Sequence, residues 1–162
     1  MISLDFITLK AFFEENKEFF CGARVQKIQQ PTRRDFVLSI RGKQETRKLY
    51  INIDPQVYHL CFINEETAKK RHITIPQKPP MFCMLLRKHL EGFRITRVNV
   101  PPYERIFEIF FESYNELNEK INLCLAIELM GKYSNVILYN DSTKTIIGCA
   151  HNVGSEKSRA RE

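Results

Sequence analysis

The chain has 162 residues, 43% of them hydrophobic, which is enough for one domain with a substantial core and too little for two. Lys and Arg number 25 against 19 Asp and Glu, and the formal net charge of +6 favours a polyanionic partner if the excess is clustered. No stretch approaches the roughly 18 consecutive apolar residues that cross a membrane, so we expect no membrane partner.

The start of the chain and its cysteines indicate a cytoplasmic protein. Asp5, Lys10 and Glu14 interrupt the segment where a secretory signal peptide would be apolar. The five cysteines are odd in number and scattered through apolar stretches, without the C-x-x-C pairs of a zinc site. We therefore expect reduced, buried thiols, no metal and no cofactor.

Residues 3–20 show the apolar spacing of an amphipathic helix, which Ser3 would cap. The apolar stripe consists of Ile2, Phe6, Leu9, Phe13 and Phe20. Asp5 lies near the edge of this stripe, in the first helical turn. An acid at this position usually complements the helix dipole, and a functional role is the alternative.

Short runs rich in β-branched residues follow the first helix, separated by residues that favour turns. They cover residues 24–30, 36–41, 48–53 and 57–63. This pattern predicts four strands in an antiparallel meander. The polar residues 64–78 predict an extended connection, longer than most within compact domains, that is a candidate for contact with a partner.

Prolines and a glycine mark the two ends of a short helix in residues 79–92. Proline suits the first helical position, and Gly92 can close the last turn in the left-handed conformation. One apolar sector contains Met81, Phe82, Leu85, Leu86 and Leu90. Arg87 and Lys88 lie on the opposite side. His89 falls within the apolar sector, and we interpret it as a hydrogen-bonded core histidine rather than a ligand.

Clean alternation of apolar and polar residues returns in residues 105–112 and 121–129, which predicts a hairpin. A second hairpin is predicted on either side of residues 140–142. The polar tail at residues 154–162 is expected to begin a following region, so the domain is expected to cover residues 1–153. Together the elements predict an α+β fold with mainly antiparallel, β-sandwich-like sheets and two principal helices.

Basic residues concentrate before residue 90, in pairs such as Arg33-Arg34 and Arg87-Lys88. Lys and Arg side chains contact the phosphates of nucleic acids, and we predict that these four contact an RNA backbone. Solvated loops without a ligand are the alternative on charge alone.

Glu104 and Arg105 form a further pair. Arg105 begins a strand on the same face as apolar residues, so its guanidinium must either reach past the end of the sheet or find an acid. A structural ion pair and a binding role are the two interpretations that the residues leave open. No Ser/His/Asp or Cys/His arrangement and no G-x-x-x-x-G-K-[ST] loop can be assembled, so we expect no autonomous catalytic site.

Three segments read GARVQKIQQP at residues 22–31, PPMFCMLLRKHL at residues 79–90 and ELMGKYSNVILY at residues 128–139. They resemble the amino-terminal domain of the NFACT family, the ribosome quality-control factors also catalogued as fibronectin-binding protein A. Because the segments keep the family's order, the resemblance spans nearly the whole chain. It implies a fold similar to the amino-terminal domain of formamidopyrimidine-type DNA glycosylases.

The resemblance also implies a function. Such factors bind the large ribosomal subunit with a stalled peptidyl-tRNA and recruit tRNA for untemplated carboxy-terminal tailing with alanine, while the ribosome makes the peptide bonds. The family has an Asp-Arg pair at the position of Glu104-Arg105, and an aspartate early in its first helix at the position of Asp5. The resemblance therefore implies that Arg105, Glu104 and Asp5 engage tRNA, with a longer acid than usual at Glu104.

Two other functions follow from the same resemblance. The older family name implies a fibronectin-binding adhesin, with fibronectin as the partner. The glycosylase-like fold implies an enzyme acting on DNA, but those enzymes use an amino-terminal proline as nucleophile, and this chain reads Met1-Ile2-Ser3. From that likeness we expect at most a glycosylase-like nucleic-acid-binding domain without catalysis.

Overall fold

The computed structural model describes residues 6–64, 66 and 77–151 of the chain. Within them, helix α1 covers Phe6–Phe20 and helix α2 covers Met81–Leu90. The strands β1 to β9 cover, in order, Arg24–Thr32, Asp35–Arg41, Thr46–Asn52, His59–Ile63, Arg94–Asn99, Ile106–Tyr114, Lys120–Glu128, Asn135–Asn140 and Ile146–Cys149. A 3-10 turn at Gly131–Tyr133 lies between β7 and β8.

The strands pair antiparallel in one nine-stranded sheet with the order β4-β3-β2-β1-β5-β6-β7-β8-β9. β1 and β5 meet at one registered pair, Arg24 opposite Arg94, so a narrow junction divides the sheet into two halves. Both halves contribute to one core, for example Leu38 of β2 and Leu125 of β7. The predicted α+β class, with a mainly antiparallel sheet and two helices, is confirmed. The sandwich-like halves are continuous in one hydrogen-bonded sheet.

The predicted four-strand meander is β1 to β4, and both predicted hairpins are present. β6 and β7 pair as far as Tyr114 opposite Lys120. The sequence pattern does not predict β5. A bulge between Ile95 and Arg97 leaves the buried residues Ile95 and Val98 three positions apart, which breaks the period of two.

The alternation in β6 predicts that one face of the strand lies in the core. The structure buries side chains on both faces. Phe107 and Phe111 join the main core. Ile106 and Phe110 pack in a second, smaller cluster with residues of β7 and β8. The guanidinium carbon of Arg97 lies 3.7 Å from the ring centroid of Phe110 and helps to cover this face.

Helix α1 docks on the core through aromatic side chains. Phe12 lies 5.3 Å from Phe62 of β4 and Phe20 lies 5.5 Å from Phe107 of β6, measured between ring centroids. These contacts tie α1 to both halves of the sheet. The predicted first helix is confirmed from Phe6 onward.

Helix α2 begins at Met81, and Pro80 occupies the N-cap with φ −59° and ψ 156°, one position before the expected one. The prediction that Met81 belongs to the apolar sector is wrong, because its side chain is 88% exposed. α2 packs against β1, β6 and β9 and buries Cys83 and Leu86 instead. Gly92 has φ 86°, the left-handed conformation predicted for the residue that ends this helix.

Some predictions fall on residues that the structure does not describe. Ser3 and Asp5, most of the connection at residues 64–78 and the tail at residues 154–162 lie outside the described residues. The boundary predicted at residue 153 lies there as well. In the ranges that are described, no helix is long and apolar enough to cross a membrane.

Candidate nucleic-acid interface

Loops from both halves of the sheet lie at one end of the molecule, because the halves close over one core. The β1–β2 turn brings Arg33 and Arg34 to this end, and the start of β6 brings Arg105. A hydrogen bond from Arg105 to Tyr58 joins the two halves, and the charges of the two turn arginines act on His151 after β9. We call Arg33, Arg34, Tyr58, Arg105 and His151 the arginine end.

Tyr58 orients the guanidinium of Arg105. Nη1 of Arg105 donates a hydrogen bond to Oη of Tyr58 at 2.7 Å, and the guanidinium carbon lies 5.6 Å from the ring centroid. Tyr58 is 7% exposed, whereas Arg105 is half-buried. The N–H of Leu129 donates to the Arg105 carbonyl at 2.9 Å, which fixes the start of β6. Arg105 therefore lies at the end of the sheet, with the hydroxyl of Tyr58 as one of its partners.

Glu104 is half-buried and precedes Arg105 in a tight turn. Its backbone N–H donates to the carbonyl of Pro101 at 3.2 Å, which closes the turn. Asp5 lies outside the described residues. Of the three residues predicted to bind tRNA, the structure thus brings Glu104 and Arg105 to one loop.

The β1–β2 turn presents Arg33 and Arg34 on a braced backbone. Oδ1 of Asp35 accepts hydrogen bonds from the N–H and the hydroxyl of Thr32 at 2.7 and 2.6 Å. Nη1 of Arg34 lies 2.9 Å from Oδ2 of Asp54, in a pair whose arginine is half-exposed. Arg33 is exposed and has no hydrogen-bond or ion-pair partner among the described residues. Two cations therefore project from a turn that the surrounding hydrogen bonds hold in place.

The charges at the arginine end change the pKa values of their neighbours. The N–H of Gln56 donates to Asp54, and this hydrogen bond together with the Arg34 guanidinium lowers the pKa of the Asp54 carboxyl. Burial lowers the pKa of His151, and the charges of Arg34 and Arg33 lower it further. At neutral pH His151 is therefore uncharged, and the arginines supply the positive charge of this end.

Asn135 anchors the residue that follows β9 at the arginine end. This fully buried amide donates through Nδ2 to the carbonyl of His151 at 2.8 Å, and its Oδ1 accepts from the N–H of His151 at 3.0 Å. Both hydrogen bonds involve the backbone of His151. They keep its imidazole near the β1–β2 turn.

Arg87 and Lys88 lie on α2, away from the arginine end. Nε of Arg87 donates to the carbonyl of Ile28 at 2.8 Å and lies 3.9 Å from Oε2 of Glu91. The hydrogen bond to Ile28 fastens α2 to β1. Lys88 is exposed and lines a cleft of about 440 Å³ together with His89 and the far end of β6. The structure does not bring these two predicted RNA contacts together with the arginine end.

His89, interpreted from the sequence as a core residue, is half-buried at the wall of this cleft. Burial and the charge of Lys88 lower its pKa, so the ring is neutral at neutral pH. Over the part of the chain that the structure describes, no group of three or more His, Cys, Asp and Glu side chains is arranged to hold a metal ion.

Sequence reasoning missed Tyr58 and His151 as parts of the arginine end. Tyr58 lies 47 residues from Arg105 along the chain, and no periodicity links the two. His151 follows β9, the last strand of the second half-sheet, whereas the β1–β2 turn belongs to the first half. Their proximity results from both halves folding over one core, which local spacing does not encode.

Comparison with known proteins identifies relatives along the whole chain. A family model described as the NFACT N-terminal and middle domains matches residues 5–162. The Rqc2 homolog RqcH of Bacillus subtilis is 34% identical over 146 residues, covering 90% of this chain and 25% of the relative. The protein of the same name from Streptococcus pneumoniae is 31% identical over 160 residues, covering 99% of this chain and 28% of the relative. The chain therefore spans about a quarter of the length of these curated relatives.

Solved structures agree with the observed fold. The N-terminal part of the fibronectin/fibrinogen-binding protein from Streptococcus suis superposes with a TM-score of 0.86 at 31% identity, over 96% of this chain and 57% of that one. The N-terminal domain of the fibronectin-binding protein PavA from Streptococcus pneumoniae gives a TM-score of 0.84 at 31% identity, over 95% of this chain and 56% of that one. Both likenesses extend over nearly all of this chain.

Proposed function

Because the chain belongs to the NFACT family of ribosome quality-control factors, we propose that it is an RNA-binding module of such a factor. In this proposal the whole protein binds the large ribosomal subunit with a stalled peptidyl-tRNA and recruits tRNA for untemplated carboxy-terminal tailing with alanine. The observation that carries the proposal is the arginine end, where Arg33, Arg34 and Arg105 lie at the same end of the molecule although they are distant in the chain.

The chemistry of the arginine end suits phosphate groups. A guanidinium presents a planar fork of N–H donors that can bind a phosphate through two hydrogen bonds. The pair between Arg34 and Asp54 is partly exposed, and such pairs are weak enough for a phosphate to replace the carboxylate. The phenol of Tyr58 orients Arg105 without cancelling its charge. The three arginines could therefore hold neighbouring phosphates of one RNA strand.

We assign Arg105, Arg33 and Arg34 to contacts with RNA phosphates. Glu104 and Asp5 would orient the guanidinium of Arg105 rather than touch RNA. Arg87 and Lys88 occupy a separate surface on α2, so their contacts with RNA stay predictions. Lys88 is the more accessible of the two, since Arg87 is engaged by Ile28.

The proposal assigns no chemical step to this chain. In tailing, the ribosome would form each peptide bond, and the factor would supply binding and orientation. It requires no cofactor or metal, and it places the protein in the cytoplasm with the ribosomes. The chain would then act as a binding module rather than an enzyme.

Binding of bulk tRNA at low and at physiological salt tests this proposal. Affinity should fall as salt rises, because phosphate contacts release counterions. Arg33→Glu should weaken binding strongly. The matched control is Arg41→Glu, which makes the same change in charge at the opposite, exposed end of β2 and should leave the affinity nearly unchanged. Equal affinity at both salts, or equal effects of the two variants, would contradict an RNA surface at the arginine end.

Fibronectin binding is the second candidate, favoured by the likeness to N-terminal domains of proteins named for binding fibronectin. Immobilised fibronectin should then retain the chain at physiological salt. If both activities exist and share the arginine end, tRNA should displace the chain from fibronectin. Retention that Arg33→Glu leaves unchanged would assign fibronectin to a different surface.

A further inference from the structure

The turn before β6 places an exposed aromatic residue, Tyr103, in the left-handed backbone conformation. Tyr103 has φ 64°, and the hydrogen bond from Glu104 N–H to the Pro101 carbonyl makes it the third residue of the turn. A positive φ at this position normally calls for glycine or asparagine, and it is uncommon for a bulky residue. The side chain is also 90% exposed, so it contributes little to the core.

The Tyr103 ring has one aromatic neighbour. Its centroid lies 5.7 Å from that of Phe6 at the start of α1, with 36° between the ring planes. Pro102 precedes it at the position of the turn where proline has the φ that the turn requires. The ring thus has an aromatic neighbour on one side, lies on a turn whose backbone Pro102 restricts, and is open to solvent elsewhere, so a flat partner has room to stack on it.

Tyr103 stands two residues before Arg105, on the loop that reaches the arginine end. Proteins that bind single-stranded RNA combine cations that hold the backbone with exposed aromatic rings on which bases stack. We propose that the ring of Tyr103 stacks on an unpaired base of the RNA whose phosphate Arg105 holds. This inference rests on the proposed function and adds a base contact to it.

The charge of the neighbourhood favours RNA over a protein as the occupant. Exposed aromatic and arginine side chains also serve as anchors in protein interfaces. Here, however, the ring lies on the loop that carries Arg105, on a chain with a formal net charge of +6. A nucleotide offers a base for the ring and a phosphate for the guanidinium of Arg105. An apolar protein surface offers no group for the guanidinium.

The test uses a short oligoadenylate RNA and an abasic ribose-phosphate oligonucleotide of the same length. Tyr103→Gly suits the positive φ and removes the ring, so its melting temperature should equal or exceed that of the wild type. It should bind oligoadenylate roughly 5- to 150-fold more weakly, the range expected for one stacked base. Its affinity for the abasic strand and its salt dependence should not change, because the phosphate contacts remain. Tyr103→Phe should bind like the wild type.

A direct optical signal comes from Tyr103→Trp, because the chain contains no tryptophan. Stacking on a base should quench this single indole when oligoadenylate is added, and the abasic strand should not quench it. The same titration reports affinity, so the variant also checks that a larger ring preserves binding.

The outcomes separate the base contact from the proposed function. Wild-type binding to both oligonucleotides with an unchanged affinity of Tyr103→Gly would overturn the base contact and leave the phosphate surface standing. A wild-type chain that binds neither oligonucleotide would overturn both. If Tyr103→Gly keeps its RNA affinity and loses binding to fibronectin, the ring belongs to a protein interface and the inference is wrong.

Discussion

Arg105 combines a structural bond with a proposed contact, and the two roles can be measured separately. It donates a hydrogen bond of 2.7 Å to Tyr58, and the arginine itself is only half-buried. Tyr58→Phe removes this bond and keeps the cation. Arg105→Ala removes both, so a comparison of the two variants isolates the contribution of the charge.

We expect Arg105→Ala to lower the free energy of unfolding by about 1 kcal/mol, as for a hydrogen bond of ordinary strength. Its affinity for tRNA should fall at least tenfold. Tyr58→Phe should be destabilised to a similar extent and keep most of its affinity. Urea unfolding and tRNA titration measure the two quantities. If Arg105→Ala binds tRNA like the wild type, the arginine has no direct contact with RNA.

Helix α1 ends against the β2–β3 turn, where Gly42 allows close packing. A Cβ atom on Gly42 would lie 2.5 Å from Cε1 of Phe19, which is closer than real Cβ contacts. The Phe19 ring cannot yield easily, because the guanidinium carbon of Arg47 lies 4.3 Å from its centroid and the ring of Phe20 lies 5.7 Å away. The docking of α1 therefore depends on a missing side chain in the turn.

Gly42→Ala should destabilise the chain by about 1 to 3 kcal/mol, the usual cost of overpacking. Phe19→Leu provides a smaller side chain at the same place, so adding it to Gly42→Ala should recover part of the loss. Phe19→Leu alone is the control. Urea unfolding of the three variants gives the coupling between the sites. A Gly42→Ala chain as stable as the wild type would show that α1 and the turn are less closely packed.

Two histidines at opposite ends of the molecule affect its stability in the same direction. Burial is the main cause of the lowered pKa of His89 in the cleft and of His151 at the arginine end. Below the unfolded pKa of about 6.5, the unfolded chain binds protons that the folded chain excludes. The stability that these residues confer is therefore complete above about pH 6.5 and is lost as the pH falls through the folded pKa values.

The melting temperature should accordingly fall between about pH 6.5 and pH 5. The lowered pKa of the Asp54 carboxyl acts only at more acidic pH, because the ordinary pKa of an aspartate is already about 3.9. Replacing both histidines by glutamine should flatten the pH dependence in this window. Thermal melts from pH 7 to pH 5 make the comparison. An unchanged slope in the double variant would mean that other groups take up the protons.

Local patterns in the sequence determined most of the elements. Pro80 and Gly92 enclose α2, and strict alternation specifies the β6–β7 hairpin, because these signals depend on residues only a few positions apart. β5 was not predictable in the same way, since its bulge removes the alternation. The face of α2 that is buried was not predictable either, because packing against the sheet left Met81 exposed and buried Cys83.

The sequence by itself therefore specified the α+β class, the order of the elements apart from β5, and the residues that the family resemblance implies, including Glu104 and Arg105. Only the tertiary structure decided which side chains share a surface. It joined Arg105 to Tyr58, brought His151 to Arg33 and Arg34, and separated Arg87 and Lys88 from them. The physical reason is that helices and hairpins form through contacts between near neighbours, whereas the arginine end exists because two half-sheets close over one core and bring distant loops together.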